Sequence, residues 1–103
     1  MNEVQSKMVS AVRDQVELFR RQIAGIERAS GADLRHFLRV ARARLKEIED
    51  KFLASDALAE PRDDAAMARW LGESLPMMMA VRGDITKAAI IFRDHGPNAR
   101  LIP

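Results

Sequence analysis

Three observations make this an all-α sequence: two unbroken heptad runs, a short turn between them, and more apolar surface than one helix pair can bury. In the first run, Val9, Val12, Val16, Phe19, Ile23 and Ile26 recur at spacings of 3, 4, 3, 4 and 3. In the second, Leu34, Leu38, Ala41, Leu45, Ile48 and Phe52 recur at 4, 3, 4, 3 and 4. This alternation is the period of helices that pack lengthwise along one another. The intervening residues are mostly good helix formers such as Ala, Arg, Gln, Glu and Lys, with Gly25 the one interior glycine. The pattern predicts a first helix over about residues 3–29 and a second over about 33–54.

Between them lies Ser30-Gly31-Ala32-Asp33. Gly31 is suited to the left-handed conformation that closes a helix, and Asp33 or Ser30 to capping the next one. So short a connection makes the two helices an antiparallel hairpin. Folding the chain about this turn pairs Ile26 with Leu38, Ile23 with Ala41, Phe19 with Leu45, Val16 with Ile48 and Val12 with Phe52. The flanks then bring Glu27 toward Arg35, Arg13 toward Glu49, and Arg20 toward Arg42. Met8, Ala11, Leu18, Phe37, Val40 and Leu53 widen the apolar stripe beyond one seam, so a further surface must cover them. That cover is either the C-terminal half of the chain or a second copy, two hairpins then forming a homodimeric helical bundle.

Residues 55–64 read as a linker, and the hairpin together with two shorter C-terminal helices as one helical domain over 1–96. Asp63 or Asp64 can cap a short third helix, ending near residue 73, that buries Met67, Trp70 and Leu71. Ser74 as cap and Pro76 in the first turn start a short fourth helix. It presents Met78, Val81, Ile85, Ala88, Ala89 and Phe92 on one side, with Gly83-Asp84 a soft point. Gly96-Pro97 ends it, leaving an extended tail over 97–103.

With 103 residues, the chain is the size of one domain. Hydrophobic residues at 48% and charged residues at 31% fit a soluble folded protein. The absence of Cys rules out disulfides, thiolate catalysis and Cys-based metal sites. The longest apolar run, Leu75 to Val81, contains Pro76 and is far too short to span a bilayer. The N-terminus interleaves Glu3, Lys7, Arg13 and Asp14 and has no signal-peptide core. The expectation is a cytoplasmic protein without a membrane partner. Residues 1–54 hold 11 Lys/Arg against 8 Asp/Glu, and residues 55–103 hold 6 against 7. The basic character is therefore local, which points to one face rather than a uniform polycation.

That face is formed by Arg35, Arg39, Arg42 and Lys46, spaced 4, 3 and 4 on the second helix, with Arg20 approaching from the first. Such a stripe either contacts nucleic-acid phosphates or is a solvated face neutralised by neighbours such as Glu27 and Asp33. No aromatic is interleaved for base stacking. Over residues 64–84, Met67, Ala68, Leu71, Gly72, Met78 and Val81 occupy small and apolar positions in a pattern that resembles the helix-turn-helix scaffold of bacterial repressors. The resemblance implies DNA reading by the second helix. Yet Glu73 replaces an apolar turn residue, and the base-facing positions hold Leu75, Pro76, Met77, Met79 and Ala80, which offer no hydrogen-bonding side chain.

Met77, Met78 and Met79 are consecutive, and successive helical residues point about 100° apart. Three in a row cannot share one core seam, and flexible Met suits an adaptable surface. With Phe37, Leu53 and Trp70, Met77 and Met79 are the partner-interface candidates. His36 and His95 are isolated, without a nucleophile motif, a His/Glu metal spacing or a Gly-rich phosphate loop nearby. No catalytic residue, cofactor or metal is expected. The sequence thus reads as a non-enzymatic helical interaction module with an unidentified protein partner. As an adaptor or regulator, it is of a kind that phages and mobile elements also carry. The alternative is a nucleic-acid-associated protein using Arg20, Arg35, Arg39, Arg42 and Lys46. A third reading is a Met- and Trp-lined ligand pocket between the third and fourth helices.

Overall fold

The computed structural model describes residues 2–29, 34–59 and 61–95. All regular structure among them is helical: α1 (Glu3–Ala29), α2 (Arg35–Ile48), α3 (Ser55–Leu58) and α4 (Asp64–His95). The turn with Gly31 and Asp33, the Gly96-Pro97 stop and the tail 97–103 lie outside the described residues.

α1 begins with a reciprocal cap. Asn2 Oδ1 accepts the Gln5 amide at 2.8 Å, and Gln5 Oε1 accepts the Asn2 amide at 3.2 Å. Two amide groups are thereby satisfied by one four-residue motif. Gln5 is buried and its Nε2 reaches Asp64 Oδ1 at 3.4 Å, seating the start of α1 against the start of α4. α2 runs on through Glu49–Leu53 with π-helical bonding and stops where Ala54 turns extended, at φ −64° and ψ 149°. The expected linker holds the single turn of α3, opened by Leu58 N donating to Ala54 O at 3.0 Å.

The expected break between a third and a fourth helix does not exist. Residues 64–95 form one α-helix with Pro76 in its interior. Pro76 withholds the N–H that the Gly72 carbonyl would accept, but both residues are exposed, which lowers the cost of that lost bond. Ser74 is not a cap; it is fully buried and its hydroxyl donates back to Leu71 O at 3.5 Å. Gly72 occupies no turn, and the repressor-like helix-turn-helix is thereby excluded. The helix also runs straight through Gly83-Asp84.

The start of α4 fits expectation. Asp63 Oδ1 accepts the Ala66 amide at 2.7 Å and the Asp63 carbonyl accepts Met67 N at 2.9 Å. Asp63→Ala should cost about 1 kcal/mol of unfolding free energy, read from the urea midpoint at constant m-value.

Packing follows the two heptad runs closely. Every residue of both is buried except Ile26, which is half-buried at the end of the seam. α4 adds Met67, Trp70, Met78, Val81, Ile85 and Ala88 to the same core, and Leu58 of α3 packs on its edge. The most extensive interface is between α2 and α4. Lys87 lies 5.3 Å from the Phe37 ring centre, Arg44 bonds Asp84 at 2.6 Å, and Trp70 Nε1 donates to Phe52 O at 3.1 Å. Partners descend along α4 as α2 ascends, so these two helices run in opposite directions. The molecule measures 49 × 22 × 19 Å, its long axis set by α4 at about 1.5 Å per residue.

Candidate interaction surfaces

Two of the five cations of the basic face, Arg42 and Arg20, are paired with acids. Arg42 grips Glu27 with both arms of its guanidinium, Nε to Oε1 at 2.6 Å and Nη2 to Oε2 at 2.5 Å. Arg20 holds Glu17 at 2.6 Å and also pairs with Glu49. The sequence pairs Glu27 with Arg35 and Glu49 with Arg13; each acid instead reaches an arginine one heptad further on. Arg20 and Arg42 do line a common depression, as expected, with Lys46, Glu49 and Asp50 beside them. Arg35 and Arg39 share a second depression with Glu27 and Arg42. Five cations on this face thus stand among Glu17, Glu27, Glu49 and Asp50, a nearly balanced surface. Arg44, off the stripe, ties α2 to α4 through Asp84 and was not singled out from the sequence.

The Arg42 fork holds the Glu27 carboxyl below its ordinary value of 4.5; partial burial opposes this, and the charges of Arg42 and Arg35 reinforce it. A carboxyl with a lowered folded pKa stabilises the fold above its unfolded pKa, and that contribution is lost as pH falls through the lowered value. Both side chains are partly solvated, so Glu27→Gln should cost under about 1 kcal/mol at pH 7. Parallel urea titrations should show the gap closing as pH drops below 4.5.

The apolar candidates separate. Trp70 is only 6% exposed and stands edge-on to Phe52, ring centres 6.1 Å apart at 90°. It is core, as is Met78. Phe37, Leu53 and Met77 are half-buried against that core. Met79 projects outward at 72% exposure. The widened apolar stripe of the first two helices divides in the same way. Its α2 members, Phe37, Val40 and Leu53, are partly covered, whereas Met8, Ala11 and Leu18 on α1 stay exposed.

Of these, Leu18 lines a groove shared by α1 and α4. Leu18, Gln15 and Gln22 form one wall and Ala89, Ile90 and Arg93 the other, with Phe19 and Ile85 in the floor, enclosing about 580 Å³. Ile90, Thr86 and Arg82 belong both to this groove and to a shallow apolar depression on the outer side of α4 that includes Met79 and Gly83. One continuous surface therefore crosses from α1 over α4, polar and apolar in similar measure in the groove and mainly apolar on the outer side of α4. Sequence reasoning named Met79 and the excess breadth of α1, but not Ile90. Helical periodicity shows which residues share a face, whereas the meeting of Leu18 with Ile90 depends on how α1 packs on α4.

A ligand pocket between a third and a fourth helix is not formed, because that region is one helix. The depression of about 220 Å³ at Trp70 is lined instead by Lys51, Ala57, Pro61, Arg69 and Glu73, without a methionine. His36 is exposed beside Phe37. Among the described residues, no group of three or more His, Asp or Glu is placed to hold a metal ion. No described helix is long and apolar enough to cross a membrane. No known family, curated protein or solved structure matches the chain.

Proposed function

We propose that this protein is a small non-enzymatic interaction module, an adaptor or regulator that works through helix-on-helix contacts. It is built on an antiparallel α1–α2 hairpin, with the α1/α4 face as its working surface. The antiparallel course is supported by two ion pairs: Glu27 with Arg42 and Arg20 with Glu49, where one partner falls by seven residues as the other rises by seven. The observation that carries the function is the uncovered apolar surface of Leu18, Met79 and Ile90, at 41%, 72% and 43% exposure. It is elongated, shallow and continuous across two helices, which suits an apposed helix better than a small molecule.

Nucleic-acid binding through Arg20, Arg35, Arg39, Arg42 and Lys46 is less well supported, since Arg20 and Arg42 are already paired with acids. The test combines circular dichroism with light scattering at low and high salt, with and without a short duplex DNA. Leu18→Asp/Met79→Asp should keep wild-type helicity and have the mass of a monomer, and DNA should leave the wild-type mass unchanged. Loss of helicity in the variant makes these side chains core and defeats the reading. A salt-sensitive gain in mass with duplex DNA transfers the function to the arginine face.

A further inference from the structure

We propose that the occupant of this surface is the α4 helix of a second copy, laid antiparallel about a two-fold axis at Met79. The inference rests on the reading of the α1/α4 face as a contact surface and adds the partner and its register.

The outer side of α4 repeats every 11 residues: Ala68, Met79 and Ile90; Gly72 and Gly83; Leu75 and Thr86. An 11-residue period stays close to the helical repeat, so these positions form a stripe running almost straight down the helix. All of them are exposed. Reversed upon itself about Met79, the stripe matches large to small. Leu75 meets Gly83 of the second copy, Ile90 meets Ala68, and Thr86 meets Gly72. Laid parallel and in register, the same stripe sets Gly on Gly and Ile on Ile, leaving gaps beside clashes.

The glycines give a second argument. A Cβ built on Gly72 or on Gly83, as on Gly25 of α1, meets nothing within 4 Å, so packing among the described residues gives no reason for them. Glycine in a helix interior is nevertheless about 0.5–1 kcal/mol worse than alanine. Close approach of a second backbone supplies the missing reason.

Charge supplies a third. The same register sets Asp64 one residue from Arg93 of the second copy, which also pairs with its neighbour Asp94, and Glu73 two residues from Lys87. Two-fold symmetry makes each pair twice. All of these side chains lie on exposed positions of α4. Leaning toward α1, the second helix also covers Leu18, which shares the groove with Ile90.

The chain contains no Cys, so single-cysteine variants report neighbours directly. Under mild oxidation, Met79→Cys should cross-link to a species of twice 11.6 kDa. Leu75→Cys and Ile90→Cys, each away from the axis, should do so at least about tenfold more slowly, because disulfides need closely placed Cα atoms. Mixing Leu75→Cys with Gly83→Cys chains should restore fast cross-linking between unlike chains. Gly83→Gln should remain folded with an unreduced melting temperature, yet run as a monomer.

Fastest self-linking at residue 75 or 90 overturns the register. A wild-type chain that stays monomeric at every concentration overturns the second copy as partner. If Leu18→Asp/Met79→Asp is still helical in that case, the interaction module stands and its partner is a different helix.

Discussion

Trp70→Ala should lower the unfolding free energy by about 3–5 kcal/mol, the range for emptying a buried large aromatic site. Trp70 is enclosed between the end of α2 and the first turns of α4 and meets Phe52 edge to face. Its Nε1–H also satisfies the Phe52 carbonyl, which lies in the π-helical stretch where regular α bonding has ceased. The substitution therefore removes both packing and a donor. Against a typical total of about 5–15 kcal/mol, that leaves a marginal fold.

Trp70→Phe separates the two contributions. It keeps an apolar ring but leaves a buried carbonyl without its partner, at about 1–3 kcal/mol. Chemical denaturation followed by far-UV circular dichroism measures both, since fluorescence would lose its only Trp. A cost below about 1 kcal/mol for the alanine variant would return Trp70 to the partner-contacting residues.

Most of the core was legible because helical burial depends on little beyond side-chain period. Val9 to Ile23 and Leu38 to Phe52 are buried as spaced. The Asn2-x-x-Gln5 cap is also spelled in the sequence, although its second role, bringing Gln5 to Asp64, depends on α4. The ion-pair register was not legible, because a guanidinium is long enough for one acid to be reached from either of two arginines one heptad apart. Nor was the π-helical end of α2, which has no residue signature. The candidate surface was half legible. Three consecutive methionines require at least one to leave the core, and Met79 does. Leu18 and Ile90 come from nearly opposite ends of the chain and meet only once α1 lies on α4.

The largest misreading concerns Pro76, and it yields a prediction of unusual sign. Proline early in a helix is benign, because the missing N–H would have had no helical partner; proline deep inside one is about 3 kcal/mol worse than alanine. With α4 continuous from Asp64 to His95, Pro76 is an interior residue. Pro76→Ala restores the donor to the Gly72 carbonyl and removes the ring's clash with that turn. It also frees the unfolded chain, which opposes the gain by about 0.4–1 kcal/mol. The net expectation is stabilisation by about 2 kcal/mol, a rise in melting temperature of roughly 8–16 °C for a domain this size. Pro76 is exposed, so no core contact is lost to confuse the comparison. Were the helix to break at Ser74, the same substitution would be neutral or destabilising, since Pro would then suit its place. The sign of one melting shift thus decides whether Leu75, Met79 and Ile90 lie on a single straight helix face. That continuity is what lets α4 of one copy present an unbroken stripe to another.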